Sequence, residues 1–164
     1  MESYTILSAN SNKVDIYEHL IPQIQGITRY ESNLIANMGN VIALLKEQFE
    51  WLWIGFYLVD ETQNNLVLGP FQGPLACTRI GFDKGVCGNA WAQEKTLIVP
   101  NVHEYPGHIA CSSASNSEIV LPLLDTSDKC IGVLDIDSSD YNTFDEVDAQ
   151  YLTQIVNILM EPTS

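Results

Sequence analysis

Apolar and polar positions alternate along this chain in a way that separates helical ends from a strand-rich middle. Residues 33–49 carry Leu34, Ile35, Met38, Val41, Ile42, Leu45 and Phe49 at spacings of three and four, which predicts an amphipathic helix. A weaker stripe before it, Val14, Ile16, Leu20 and Ile24, predicts a shorter helix interrupted by Pro22 and ended near Gly26. Near the other end, Val147, Tyr151, Leu152, Ile155, Val156 and Leu159 mark the buried side of a final helix, and Thr143-Phe-Asp-Glu146 reads as its capping box. Between these helices, 52–59, 65–71, 77–82, 96–100, 117–125 and 130–138 read as strands separated by Gly, Pro, Asn and Asp turns. One helix interrupts them, from Gly85-Val86-Cys87-Gly88 to about Glu94. Terminal helices around a meandering sheet indicate a single α+β domain with a helical layer on one face.

Strand alternation assigns the side chains to faces. In 52–59, Leu52, Ile54, Phe56 and Leu58 point toward the helices, while Trp53, Gly55, Tyr57 and Val59 take the other side, with Gly55 leaving a gap between two aromatics. In 130–138, Asp135 and Asp137 share that second face with Val133; in 117–125, Glu118 and Val120 do. Each residue has an ordinary structural explanation: Glu118 as a solvated strand end, Trp53 as filler of a second small core, Asp137 as a turn cap. Taken together, an aromatic pair, a gap and three carboxylates on one sheet face describe a small-molecule pocket.

Composition narrows the class of partner. The 164 residues are 46% hydrophobic and 17% charged, as in an ordered globular domain. Seven Lys and Arg against 21 Asp and Glu leave a net charge of −14, which argues against nucleic acid and anionic membrane surfaces. No run approaches the roughly 20 apolar residues that span a bilayer, and Met-Glu-Ser-Tyr-Thr-Ile-Leu-Ser at the start carries no signal-peptide pattern, so a cytoplasmic location is expected.

Four cysteines, at 77, 87, 111 and 130, include no Cys-x-x-Cys pair, so no structural zinc site is expected. His103 and His108 are five apart, and Pro106 and Gly107 exclude the helical turn of a zinc-protease motif. Cys130 lies in Lys-Cys-Ile-Gly-Val-Leu, the setting of a strand filler. Cys111 is different: Ser112, Ser113, Ser115, Asn116 and Ser117 follow it, a polar loop in which a thiol can be exposed and nucleophilic.

At this point the motifs become collectively informative. Trp53-Ile-Gly-Phe-Tyr57, Leu66-Val-Leu-Gly-Pro-Phe-Gln-Gly73, Gly85-Val-Cys-Gly88, Gly107-His-Ile-Ala-Cys111, Ser115-Asn-Ser-Glu-Ile-Val120 and Gly132-Val-Leu-Asp-Ile-Asp-Ser138 closely resemble the free methionine-(R)-sulfoxide reductases, enzymes built on a GAF domain. The likeness runs over nearly the whole chain and is weakest over residues 1–30. It implies one GAF domain over 1–164, with a central, mainly antiparallel sheet, helices on one side and a ligand pocket on the other. It also implies Cys111 as catalytic cysteine, Cys77 as resolving cysteine and Cys87 as an auxiliary one. Trp53, Tyr57, Glu118, Asp135 and Asp137 fall on the family's substrate contacts, with the three acids also expected to handle protons. The implied substrate is free methionine sulfoxide and the implied reductant thioredoxin or a similar dithiol. No bound cofactor or metal is implied, and homodimers are common in the family. For Cys87, its place at a helix start suggests a dipole-favoured thiolate; for the substrate's carboxylate, the Ser112–Ser117 backbone offers N–H donors. A GAF small-ligand sensor, or a cysteine-based redox sensor without turnover, are the rival readings.

Overall fold

A computed structural model describes residues 4–109 and 111–161; Ala110, inside the Gly107–Cys111 motif, and both chain ends lie outside it. Six strands, β1 (Trp53–Asp60), β2 (Asn65–Gln72), β3 (Arg79–Gly81), β4 (Leu97–Val99), β5 (Ser117–Leu124) and β6 (Cys130–Ser138), form one sheet in the order β3-β2-β1-β6-β5-β4. All neighbours run antiparallel. Four helices accompany it: α1 (Lys13–Thr28), α2 (Leu34–Gln48), α3 (Gly85–Gln93) and α4 (Glu146–Met160). No described helix is long and apolar enough to cross a membrane.

The predicted faces are the observed ones within the strands. Ile54 and Phe56 of β1, Ile119 and Leu121 of β5, and Leu134 and Ile136 of β6 meet α1, α2 and α4 in the main core. Trp53, Tyr57, Val120 and Val133 turn to the opposite side, into a second cluster with Val86, Cys87 and Ala90 of α3. The helical layer is therefore not confined to one face: α3 packs across β5 and β6 on the other side. Leu52, expected to face the terminal helices, precedes β1 and packs with this second cluster.

Three helix-end details differ from the sequence pattern. α1 is not interrupted at Pro22 and runs two residues past Gly26 to Thr28, whose hydroxyl donates to the Ile24 carbonyl at 2.9 Å. Pro22 and Glu18 are both exposed, so the Glu18 carbonyl that loses its helical N–H faces solvent, where the loss is cheapest. Val14 and Ile35, counted in the apolar stripes, are 37% and 49% exposed, and buried Tyr17 takes a core position instead. The capping box of α4 begins two residues later than expected. Asp145 accepts from the N–H groups of Val147 (2.9 Å) and Asp148 (3.3 Å), and Asp148 accepts from that of Asp145 (2.9 Å). Thr143 instead donates its hydroxyl to Ser138 at 2.7 Å. Asp148, 1% exposed, also receives Tyr17 (2.7 Å) and Lys13 (2.6 Å), which fastens α4 to α1.

Candidate active site

Strand register builds the site. Across the sheet, Asp137 stands opposite Trp53 on one side and Glu118 on the other, and Asp135 stands opposite Gly55 and Val120. One row is therefore indole, carboxyl, carboxyl; the next is an empty glycine position, carboxyl, valine. α3 lies over these rows and lowers Cys87 onto the acids, with Cys87 Sγ 4.0 Å from Glu118 Oε1. The loop after β4 brings His108 Nε2 to 3.5 Å from Glu118 Oε2. Trp53, Tyr57, Cys87, His108, Cys111, Ser115, Glu118, Asp135 and Asp137 all line one pocket, alongside Lys84, Gly85 and Val86. The structure thus brings Trp53, Tyr57, Cys87, Cys111, Glu118, Asp135 and Asp137 together, and Cys77 reaches them through its sulfur: Cys77 and Cys111 are joined as a disulfide. Cys130 stays apart, buried with its thiol directed to the Gly132 carbonyl.

The glycine at 55 does not leave an open gap. A Cβ there would collide with the Trp53 indole and with Phe71, and a Cβ at Gly73 (φ +140°) would meet the same indole from its other end. Trp53 fills the space that the two glycines vacate and stacks on Phe71, with centroids 5.4 Å apart. Its N–H donates to the Pro74 carbonyl at 3.1 Å, and the Tyr57 hydroxyl donates to the Cys77 carbonyl at 2.9 Å. The two aromatics therefore hold the segment that carries Cys77, a function that face alternation alone did not reveal. Gly55→Ala is expected to cost about 1–3 kcal/mol through overpacking, read by chemical denaturation; an unchanged midpoint would show that the indole is free to move aside.

Electrostatics follow from burial. Like charges directly opposite on a sheet repel, and Glu118 and Asp137 are such a pair, with Glu118 buried and Asp137 half-buried. Desolvation, then the Asp137 charge, pushes Glu118 well above the usual carboxyl range; desolvation, then Asp137 and Glu118, does the same to Asp135. Asp137 rises to about 6 through desolvation, even though the Ser115 hydroxyl donates to it and favours its charged form. These three carboxyls share protons as a set. His108 is pushed down by burial, so its contact with Glu118 is that of a neutral imidazole rather than an ion pair.

The dipole-favoured thiolate expected at Cys87 is overturned. Its sulfur is buried, and desolvation followed by the charges of Asp135 and Glu118 raises the thiol well above its ordinary range. A helix end supplies about half an elementary charge, which neighbouring carboxylates and burial outweigh.

Raised carboxyls also tilt stability with pH. The folded state holds the Asp137 proton more tightly than the unfolded chain, so this contribution is complete below the ordinary 3.8 and is lost as pH climbs to about 6. Asp137→Asn, which can still accept from Ser115, should therefore gain roughly 1–3 kcal/mol over the parent on going from pH 4 to pH 8. Denaturant unfolding at both pH values checks this, and an equal difference at both would refute it.

Sequence reasoning missed His108, Ser115 and Lys84. Spacing dismissed His108 as a metal-motif histidine, and nothing local marks Ser115 among four loop serines. The signal for Lys84 was present: it precedes the predicted helix at Gly85, whose first N–H groups need a partner.

One antiparallel sheet with helices on both faces and an acidic, aromatic pocket under the shortest of them is the architecture of a GAF domain, and the GAF domain family profile matches residues 38–160. GAF domain-containing protein A of Dictyostelium discoideum is 61% identical over 92% of this chain and 94% of its own length. The free methionine-R-sulfoxide reductase of Escherichia coli (strain K12) is 44% identical over 88% of this chain and 87% of its own. An X-ray structure of free methionine-R-sulfoxide reductase from Neisseria meningitidis, in complex with its substrate, superposes with a TM-score of 0.93 at 50% identity, covering 98% of this chain and 94% of that one. The present chain belongs to the free methionine-R-sulfoxide reductases, a GAF-domain family of oxidoreductases.

Proposed function

We propose that this protein reduces free L-methionine (R)-sulfoxide to methionine, with Cys111 as nucleophile and Cys77 as resolving thiol. The observation that carries the reading is the Cys77–Cys111 disulfide beside a pocket lined by three protonatable carboxyls. Sulfoxide reduction needs both a thiol for the sulfur and protons for the oxygen.

In this scheme the reduced Cys111 attacks the sulfoxide sulfur. The sulfur–oxygen bond breaks, the oxygen passes to Cys111 as a sulfenic acid, and methionine leaves. The Cys77 thiol then displaces the sulfenic oxygen, which departs as water with the second proton, and a disulfide forms. A dithiol reductant of the thioredoxin class takes up the oxidation by exchange. Leu75, 90% exposed, and Ile109 line the same pocket as Cys111 and offer such a protein an apolar rim. No prosthetic group has a step to perform. Glu118, Asp135 and Asp137 hydrogen-bond the oxygen, deliver its protons and meet the substrate ammonium; Trp53 and Tyr57 wall the methyl group. Cys87, close to the acids, is a reserve thiol.

The substrate's carboxylate is better served by α3 than by the Ser112–Ser117 backbone. In that loop the Ala114 and Asn116 N–H groups are already bonded, to Ser112 and Ser138. Lys84 and the first N–H groups of α3 line the pocket, and Lys84 makes no side-chain cap to them. A helix start beside an ammonium is an anion seat.

Thioredoxin-coupled NADPH oxidation, given each epimer of free methionine sulfoxide and a peptide-bound form, tests the proposal. Turnover of the free R form alone is expected; no turnover with any form leaves the sensor readings standing instead. Cys77→Ser is expected to keep one stoichiometric reduction per protein and lose recycling, seen as methionine released in a single-turnover quench. Loss of that first turnover would remove Cys77 from the resolving role.

A further inference from the structure

Two acids that the reductase scheme places on the oxygen-binding wall also form one cluster with Cys87, and His108 beside them has no part in that scheme. Cys87, Glu118 and Asp135 each present a ligand atom, and these atoms lie within 4.8 Å of one another. All three residues are at most 6% exposed. His108 Nε2 stands 3.5 Å from Glu118 Oε2 and adds a fourth donor from a separate loop. Independent of that clustering, Asp135 Oδ1 is buried in the pocket wall without a hydrogen-bond partner. An orphaned carboxylate oxygen in a dry site is costly, and a cation seated between the donors would satisfy it.

We infer that Cys87, Glu118, Asp135 and His108 form a binding site for a borderline-soft divalent cation of the zinc class. Zinc takes four donors in a tetrahedron, with sulfur near 2.3 Å and nitrogen or oxygen near 2.0 Å, which sets donor separations of roughly 3.5 Å. The Cys87–Glu118 and His108–Glu118 separations of 4.0 and 3.5 Å involve different Glu118 oxygens, and the Cys87, Glu118 and Asp135 donors lie within 4.8 Å of one another, so those three close by up to about 1.3 Å and His108 swings inward to complete the tetrahedron. A thiolate beside an imidazole and carboxylates selects zinc or cobalt over magnesium or calcium, which prefer oxygen alone. Binding displaces the Cys87 proton, and those held by the Glu118 and Asp135 carboxyls, to solvent and involves no change of oxidation state. The donors come from α3, β5, β6 and the loop after β4, which is why no Cys-x-x-Cys or His-x-x-x-His spacing announces them. Because the same wall holds the oxygen-binding acids of the reductase reading, the metal-loaded protein has that wall occupied.

The disulfide form provides a clean test, since its only free thiols are Cys87 and Cys130. Oxidised protein is titrated anaerobically with Co²⁺, and the thiolate-to-cobalt absorption in the near ultraviolet is followed, then displaced with Zn²⁺. One equivalent of cobalt is expected to raise the band; Cys130→Ser should keep it and Cys87→Ser should abolish it. Glu118→Gln, which leaves every thiol in place, should weaken binding at least about tenfold. Absence of a thiolate band, a band that survives Cys87→Ser, or unchanged affinity in Glu118→Gln overturns the site. No substrate enters this titration, so its failure leaves the reductase reading untouched, and failure of turnover leaves the metal site standing.

Discussion

Cys111→Ser is expected to lower turnover of the free R sulfoxide by at least about a thousandfold, to the background of the coupled assay. A serine hydroxyl is a far weaker nucleophile than a thiolate at neutral pH, and the oxygen it would acquire could not condense with Cys77 to a disulfide. The loss should therefore reach the first turnover as well, which separates this variant from Cys77→Ser. Binding offers a second readout. Cys111 shares its pocket with Trp53, whose indole is held by Pro74 and Phe71 and not by the thiol. Quenching of that tryptophan by the sulfoxide should survive the substitution. Retention of more than a tenth of wild-type turnover would move the nucleophile to another residue.

Glu118→Gln is expected to cut kcat by about 10²–10⁴, the usual range for a proton donor, with a much smaller change in KM. Glutamine keeps the length and can still donate to the sulfoxide oxygen, but it has no proton to release. The pH profile carries the sharper signature. The wild-type acids work in their protonated form, so activity should be present at low pH and fall as the set ionises, beginning near the Asp137 value of about 6 and extending upward through Glu118 and Asp135. In the variant the residual activity should lose the part of this fall that Glu118 supplies, because one ionisation has been removed. A residue that merely supports the pocket would scale the whole profile without changing its shape. An unchanged kcat would take the proton-donor role away from Glu118.

Much of this site was legible in the chain before folding. Period-two alternation put Trp53, Tyr57, Glu118, Asp135 and Asp137 on one sheet face, because a strand has only two faces and the other was claimed by Ile54, Phe56, Ile119, Leu121, Leu134 and Ile136. The polar loop after Cys111 separated that thiol from Cys130 for a similar reason: local composition reports local exposure. The errors fell where the outcome depended on a distant partner. Pro22 failed to interrupt α1 because its lost bond lies on the solvent side. Gly55 failed to leave a gap because an indole two residues away lies over it. Cys87 failed to be a thiolate because two other strands place carboxylates beneath its helix.

The sequence by itself determined the elements, the strand faces and, through the motif resemblance, the family, since each depends on periodicity or on residue order that is present in one dimension. Only the tertiary structure decided the ionisation and pairing of the site: the Cys77–Cys111 bond across 34 residues, the row that sets Asp137 between Trp53 and Glu118, and the meeting of Cys87, His108 and the acids. Proton affinity and bond formation respond to distances of a few ångströms and to the exclusion of water. Both quantities arise only when α3 closes over the sheet.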